Sequence, residues 1–229
     1  MNIKTDLNPL SDIERAILMG SILGDGTLQK RGRNSFRHRV AHSVSQKSYV
    51  EWKHTKLNRL CQTTQPPKEV TNKSDFVSVE FYTSSGEYLK EFFELFYKQS
   101  PTGNFVKTIT PELIQKLPLD PILLAVWFMD DGSARNDCYA GNLATQCFSL
   151  EEHHLLKDYF KKWDINCNIV KHSKKSGQYY LYIPRKAFPR LVEIIESTVS
   201  EIPDMVYKLN KCRPPLGAHY PKPFRGPLP

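Results

Sequence analysis

The chain has 229 residues, with 32 Lys and Arg against 24 Asp and Glu, a formal charge of +8 and a hydrophobic share of 40%. That length suits one large domain or two small ones with a real core, and the composition excludes a disordered or collagen-like chain. Five cysteines without a C-x-x-C pair argue against a disulfide framework and a structural zinc, and the apolar run at 121–129 is too short to span a bilayer.

No secretory leader is evident at the start, so the expectation is an intracellular protein in a reducing compartment. The cytoplasm of a prokaryote or an organelle such as a mitochondrion or chloroplast would suit it, with no membrane partner.

Taken in chain order, the elements repeat. Ser11, Asp12, Ile13 and Glu14 form a capping box that opens an apolar helix ending at Asp25-Gly26. Ser45 reads as the N-cap of a second helix. Residues 76–82, rich in aromatic and β-branched side chains, read as a strand, and 87–99 as a closing helix. Residues 100–119 hold Pro101, Gly103, Pro111 and Pro118 and read as a connector. Asp120 then caps a second apolar helix with Pro121 at its first position, and that helix ends at Asp130-Asp131-Gly132. Ser149 caps the next helix through another capping box, which leaves His153 and His154 on a helix surface. Residues 179–183 are a strand, and 187–198 a closing helix with Pro189 in its first turn.

Landmarks recur at a nearly constant offset: 106 residues separate the Asp-Gly ends, 104 separate Ser45 from Ser149, and 101 separate Lys107 from Lys208. The expected class is α+β, built as two pseudo-symmetric αββαββα half-domains. Their limits are 1–103 and 120–212, with a connector at 104–119 and a Pro-rich basic tail at 213–229.

The charge is uneven. Residues 26–50 carry six bases and no acid, and residues 165–192 do the same. Basic blocks on this scale attract a polyphosphate, and their mixture with Gln, Asn, Ser and Tyr in strand-like sequence favours nucleic acid. Against that background, two apolar helices end on carboxylates, where the helix dipole disfavours negative charge. If the two helices meet on a pseudo-two-fold axis, Asp25 and Asp131 come together at one end. A divalent cation, Mg²⁺ or Mn²⁺, would relieve their repulsion and could assist phosphodiester hydrolysis.

Residues 18–26, LMGSILGDG, and 124–132, LAVWFMDDG, look like two copies of the LAGLIDADG motif. From about residue 10 to 212 the chain resembles a monomeric, two-motif LAGLIDADG homing endonuclease. The resemblance implies that the halves pack through the two motif helices, and that their antiparallel sheets form a saddle lying along the major groove of duplex DNA. It implies Asp25 and Asp131 as metal ligands, with Mg²⁺ as cofactor and Mn²⁺ as a substitute. Lys107 and Lys208 become the basic residues of the active site, polarising the attacking water or stabilising the transition state. Gln46 matches a polar position lining such sites, but its counterpart is Leu150. Gly24 and Asp130, beside the two carboxylates, complete the metal candidates, although Asp130 stands where the family usually has a small residue. Gly20, Ser21 and Gly24 give the first helix a small face against the bulk of Val126 and Trp127 on the second.

In the first half, the DNA contacts implied are Gln29, Lys30, Arg31, Arg33, Arg37, Arg39 and His42, flanked by Lys68, Lys73, Ser78 and Glu80. In the second half they are Arg135, Asn136, Asn142 and Gln146, flanked by Lys171, Lys174, Gln178, Tyr180 and Tyr182. The innermost strands are expected at 29–42 and 135–146. The activity implied is metal-dependent double-strand cleavage at a long asymmetric site, leaving short 3′ overhangs. The alternative is an RNA-splicing maturase with intron RNA as partner, or a non-cleaving nucleic-acid-binding regulator on the same fold. Both acids and both lysines are present, as cleavage needs.

Overall fold

A computed structural model of the protein describes residues 9–61, 65–173 and 177–209. Two helices at the centre organise everything else. α1 (Asp12–Leu23) and α5 (Pro121–Asp131) are buried on nearly every side, as their long apolar stretches require. Ser11 and Glu14 form the expected capping box on α1, and Asp120 caps α5 with Pro121 at its first turn. Glu14 is itself buried, and it is matched by Arg59, whose Nη2 donates to it at 2.6 Å.

The two helices approach backbone to backbone. A Cβ on Gly20 would lie 2.5 Å from the carbonyl oxygen of Leu123 and 3.0 Å from Val126 Cβ. Val126 therefore fills the space left by the small face of α1. Trp127 does not, because it turns to its own half and meets the Phe160 ring with centroids 5.4 Å apart.

Each half adds a four-stranded antiparallel sheet. The first has β1 (Thr27–Lys30), β2 (Phe36–Ser43), β3 (Lys68–Thr71) and β4 (Val77–Tyr82), in the order β1-β2-β4-β3. The second has β7 (Gly132–Ala134), β8 (Gly141–Leu143), β9 (Asn168–Lys171) and β10 (Tyr179–Ile183), in the equivalent order β7-β8-β10-β9. Helices α2 (Lys47–Lys56) and α6 (Leu150–Lys162) support the inner faces of these sheets, and α3 (Lys90–Phe96) and α7 (Phe188–Ser200) close the halves. The αββαββα pattern thus occurs twice. No helix among the described residues is long and apolar enough to cross a membrane.

Several local expectations need correction. Ser45 is not the N-cap of α2. Ser43 caps a short 3-10 turn at Val44–Gln46 through Ser45 N–H, and α2 begins only at Lys47. The helix expected over 87–99 stops at Phe96. There the chain turns extended, and β5 (Tyr97–Gln99) pairs with β6 (Phe105–Lys107) inside the presumed connector. That connector also contains α4 (Pro111–Lys116), where Thr110 is the cap and Pro111 starts the helix rather than breaking it. His153 is buried, not on the surface. Its Nε2 pairs with Thr145 Oγ1 at 2.9 Å and its Nδ1 with the Ser149 carbonyl at 2.7 Å.

The end of each half docks on the second helix of the other. Asp204, in the turn Pro203–Leu209 after α7, accepts from Ser48 N at the start of α2 at 2.8 Å. Reciprocally, Glu152 of α6 accepts from Ile109 N at 2.6 Å. These exchanged segments are the ones that carry Lys208 and Lys107.

Replacing Gly20 with Ala forces its methyl into the Leu123 carbonyl, a backbone atom that cannot swing aside. Gly20→Ala should cost about 1–3 kcal/mol in urea denaturation, whereas a surface Ala substitution such as Glu193→Ala should change little.

Candidate active site

The two motif helices end side by side but differently. Asp131 is the last residue of α5, and its carbonyl accepts from Ala144 N at 2.9 Å. Asp25 lies two residues past the end of α1, just beyond the cap Gly24. Its side chain is half exposed and faces a groove of about 480 Å³ lined also by Arg39, His42, Ser43, Gln46 and Ser78. Burial and the charge of Asp130 raise the pKa of Asp25. Burial and the facing Asp25 carboxylate push Asp131 up to about 8. Two carboxylates that resist ionising together form a donor set suited to a hard divalent cation. Among the described residues no group of three His, Cys, Asp or Glu side chains forms a metal cluster, so the remaining ligands would come from water and substrate phosphate.

Lys107 and Lys208 flank this point. Each is largely buried and donates to a backbone carbonyl at 2.5 Å, Lys107 to Gly24 and Lys208 to Gly132. Burial lowers both pKa values, while Asp25, Asp130 and Asp131 act to hold the charge. Gln46 also reaches the site, where its Nε2 donates to Tyr207 OH at 3.3 Å. Gly24 offers only its carbonyl, which Lys107 already engages.

Asp130 does not join Asp25 and Asp131. Its side chain is 0% exposed, in a pocket of the first half. Oδ1 accepts from Lys53 Nζ at 2.8 Å and from Tyr49 OH at 2.7 Å, and Oδ2 accepts from Asp25 N at 3.2 Å. His42 Nε2 lies 3.5 Å from the same Oδ1. Burial would raise the Asp130 pKa, but the Lys53 charge and the hydrogen bonds from Lys53 and Tyr49 outweigh it and hold the carboxylate ionised. Burial and Lys53 drive His42 down to about 4, so its ring is neutral. The metal candidacy of Asp130 is therefore corrected, because both of its oxygens point inward and are spoken for. Only Gly24 leaves room for it, since a Cβ there would lie 2.4 Å from Asp130 Cβ.

Strand register sorts the expected DNA contacts. In β2, burial alternates from Phe36 to Ser43, which puts Phe36, His38, Val40 and His42 inside and Arg37 and Arg39 outside. His42 is thus no groove reader, and Lys30, paired with Phe36, also shares the inner face. The outer face of the first sheet gathers Gln29, Arg37, Arg39, Lys68, Ser78 and Glu80. Arg39 Nη2 is held by Glu80 at 2.6 Å. Arg37 donates to Gln29 Oε1 at 2.9 Å and stacks 4.1 Å from the Tyr82 ring centroid. Arg31 and Arg33 are exposed in the β1–β2 turn, and Lys73 in the β3–β4 turn.

In the second sheet Asn142, Tyr180 and Tyr182 share the outer face. Lys171 pairs with Tyr179 and falls on the other face. Arg135 and Asn136 lie in the β7–β8 turn, not in a strand, and Arg135 is bound to Asp137 at 2.6 Å. Gln146 follows β8, and Gln178 precedes β10. Lys174 lies outside the described residues.

The sequence reading missed Lys53, Tyr49 and Tyr82. It also missed His38, fully buried beside Gly26, with neither ring nitrogen hydrogen-bonded and a pKa pushed by burial to about 3. The alternation of β2 was the available signal for the histidines; no local pattern marks Lys53.

A family model described as "LAGLIDADG DNA endonuclease family" matches residues 15–191. Among curated proteins, cytochrome b mRNA maturase bI2 of Saccharomyces cerevisiae is 29% identical over 226 residues, covering 91% of this chain. The chain spans about half of that maturase, 51% of its length. DNA endonuclease I-ChuI of Chlamydomonas applanata is 28% identical over 201 residues, covering 82% of this chain and 90% of the relative. Among solved structures, the homing endonuclease I-WcaI bound to its DNA recognition sequence superposes with a TM-score of 0.73 at 27% identity, covering 87% of both chains.

The raised pKa of Asp131 has a measurable sign. Its folded value, about 8, lies above the ordinary 3.8, so its contribution to stability is complete below pH 4 and is lost as the pH rises through 8. Asp131→Asn should leave the cation-free protein's Tm unchanged near pH 4 and raise it near pH 8.5, as read by thermal melts in EDTA.

Proposed function

From the premise that the chain belongs to the LAGLIDADG DNA endonuclease family, we propose that it is a site-specific DNA endonuclease that cuts both strands of a long asymmetric duplex site. The observation that carries this reading is the meeting of Asp25 and Asp131 at two helix ends, with buried Lys107 and Lys208 against them and a sheet groove leading away.

In this reading Asp25 and Asp131 hold Mg²⁺, with Mn²⁺ as a substitute. When bound, the cation supplies Lewis acidity toward phosphate oxygen and activation of water. On each strand water loses a proton and adds to phosphorus, one P–O ester bond breaks, and the leaving oxygen takes up a proton; the two staggered cuts give short 3′ overhangs. Lys107 and Lys208, fixed by the carbonyls of Gly24 and Gly132, stabilise the charge that builds on the phosphate oxygens. Gln46 helps to orient water beside Asp25. The outer faces of the two sheets lie in the major groove, where Arg37, Gln29 and Ser78 on one side and Asn142, Tyr180 and Tyr182 on the other meet base edges and phosphates.

A second reading is favoured by one observation, the similarity to maturase bI2 across 91% of this chain. Under it the same surface serves an intron RNA and the DNA is left intact.

A randomised duplex library, challenged in Mg²⁺ and in EDTA with cut ends sequenced, separates the two. Double-strand ends in Mg²⁺ alone are expected. Their absence across a deep library, together with tight binding of intron RNA, establishes the maturase reading instead. Asp25→Asn and Asp131→Asn should each abolish cutting while gel-shift affinity for the selected duplex stays largely intact. Lys107→Met and Lys208→Met should each slow cutting by about 10²-fold or more in single-turnover assays.

A further inference from the structure

Asp131 is held by its own helix, but Asp25 is not. At the end of α1, the turn Gly24-Asp25-Gly26 is fixed by four bonds. Gly24 N donates to Gly20 O at 3.1 Å, the Gly24 carbonyl accepts from Lys107, Gly26 N donates to Ser21 O at 2.8 Å, and Asp25 N donates to Asp130 Oδ2 at 3.2 Å. The last is accepted by the opposite half, at an ionised carboxylate in a fully buried place. Such a group is tolerated only with a cation and further donors around it. Lys53 and Tyr49 supply them, and Lys53 is in turn steadied by Ser21 Oγ at 3.2 Å and His42 Nε2 at 3.3 Å.

Among the described residues, no equivalent clamp serves Asp131 from the second half. There the buried position on α6 is taken by His153, which is satisfied locally by Thr145 and Ser149. The arrangement is one-sided, and it acts on the backbone of the carboxylate that has no helix to hold it.

We infer that Asp130 is a positioning residue for Asp25: anchored by Lys53 and Tyr49, it fixes the Asp25 backbone so that this carboxylate is set for a cation. This rests on the nuclease reading for its purpose and on the hydrogen bonds for its substance. Supporting groups of this kind change metal affinity by about 10- to 100-fold when removed.

Two double variants isolate the effect without stranding a buried charge. Asp130→Ala with Lys53→Met removes the pair and the acceptor. Asp130→Asn with Lys53→Met removes the same charges but leaves an amide oxygen to accept from Asp25 N–H. Tb³⁺, a luminescent stand-in for hard divalent ions, is titrated into each free protein, with a thermal melt to verify folding. The Ala variant should bind Tb³⁺ about tenfold more weakly than the wild type, and the Asn variant should recover most of the loss. On a cleavable duplex, the Ala variant should slow one strand's cut more than the other, while the Asn variant keeps them matched.

Equal Tb³⁺ affinity in the Ala and Asn variants, or in the Ala variant and the wild type, overturns the inference. Failure of the wild type to cut any duplex sinks the nuclease reading, and the Tb³⁺ comparison still decides the role of Asp130.

Discussion

Two helices can meet backbone to backbone only where side chains disappear, and this closeness is the constraint on which the rest of the molecule depends. Gly20 lets α1 approach the Leu123 carbonyl and Val126, and Gly24 lets the end of α1 approach Asp130. Because the helices are close along their length, their C-terminal ends converge, and two carboxylates arrive where like charges resist each other. Burial first, and a neighbouring carboxylate second, raise the pKa of both Asp25 and Asp131. Under the proposed function, the affinity of such a site for a cation is stored in the packing of its core.

The exchange of terminal segments completes the site. Lys107 and Lys208 are carried by stretches that leave one half and dock on the other through Glu152 and Asp204. Each lysine is thus fixed by contacts to both halves, and each fixes the carbonyl at a motif end. The two sheets hang from the same helix pair, so their outer faces keep a constant relation to the carboxylates. Under the proposed function, groove reading and phosphate chemistry are coupled through the interface of the two helices.

The broad plan was legible in the sequence because its signals are local and repeated. Capping boxes, apolar helices ending in Asp-Gly and an offset near 104 residues sufficed for the two halves and for the joining of Asp25 with Asp131. What stayed hidden depends on distant partners. The pairing of Tyr97–Gln99 with Phe105–Lys107 overrode a strong helical pattern. The face taken by His42 or Lys30 is settled by register, which a basic composition does not report. Above all, Asp130 read as one acid too many at a motif end. Its meaning lay 77 residues away in Lys53, a lysine on a helix of almost no amphipathic pattern, where nothing marks it as internal.

The Gly24–Asp130 contact also determines which halves can be partners at all. Two copies of the first half would bring glycine to glycine and bury two Lys53 ammonium groups with no counter-charge. Two copies of the second would drive one Asp130 carboxylate onto the other. Only the unlike pairing is both sterically filled and electrically neutral. Each half thus holds the complement of a feature in the other: glycine against the Asp130 side chain, and Lys53 against its charge.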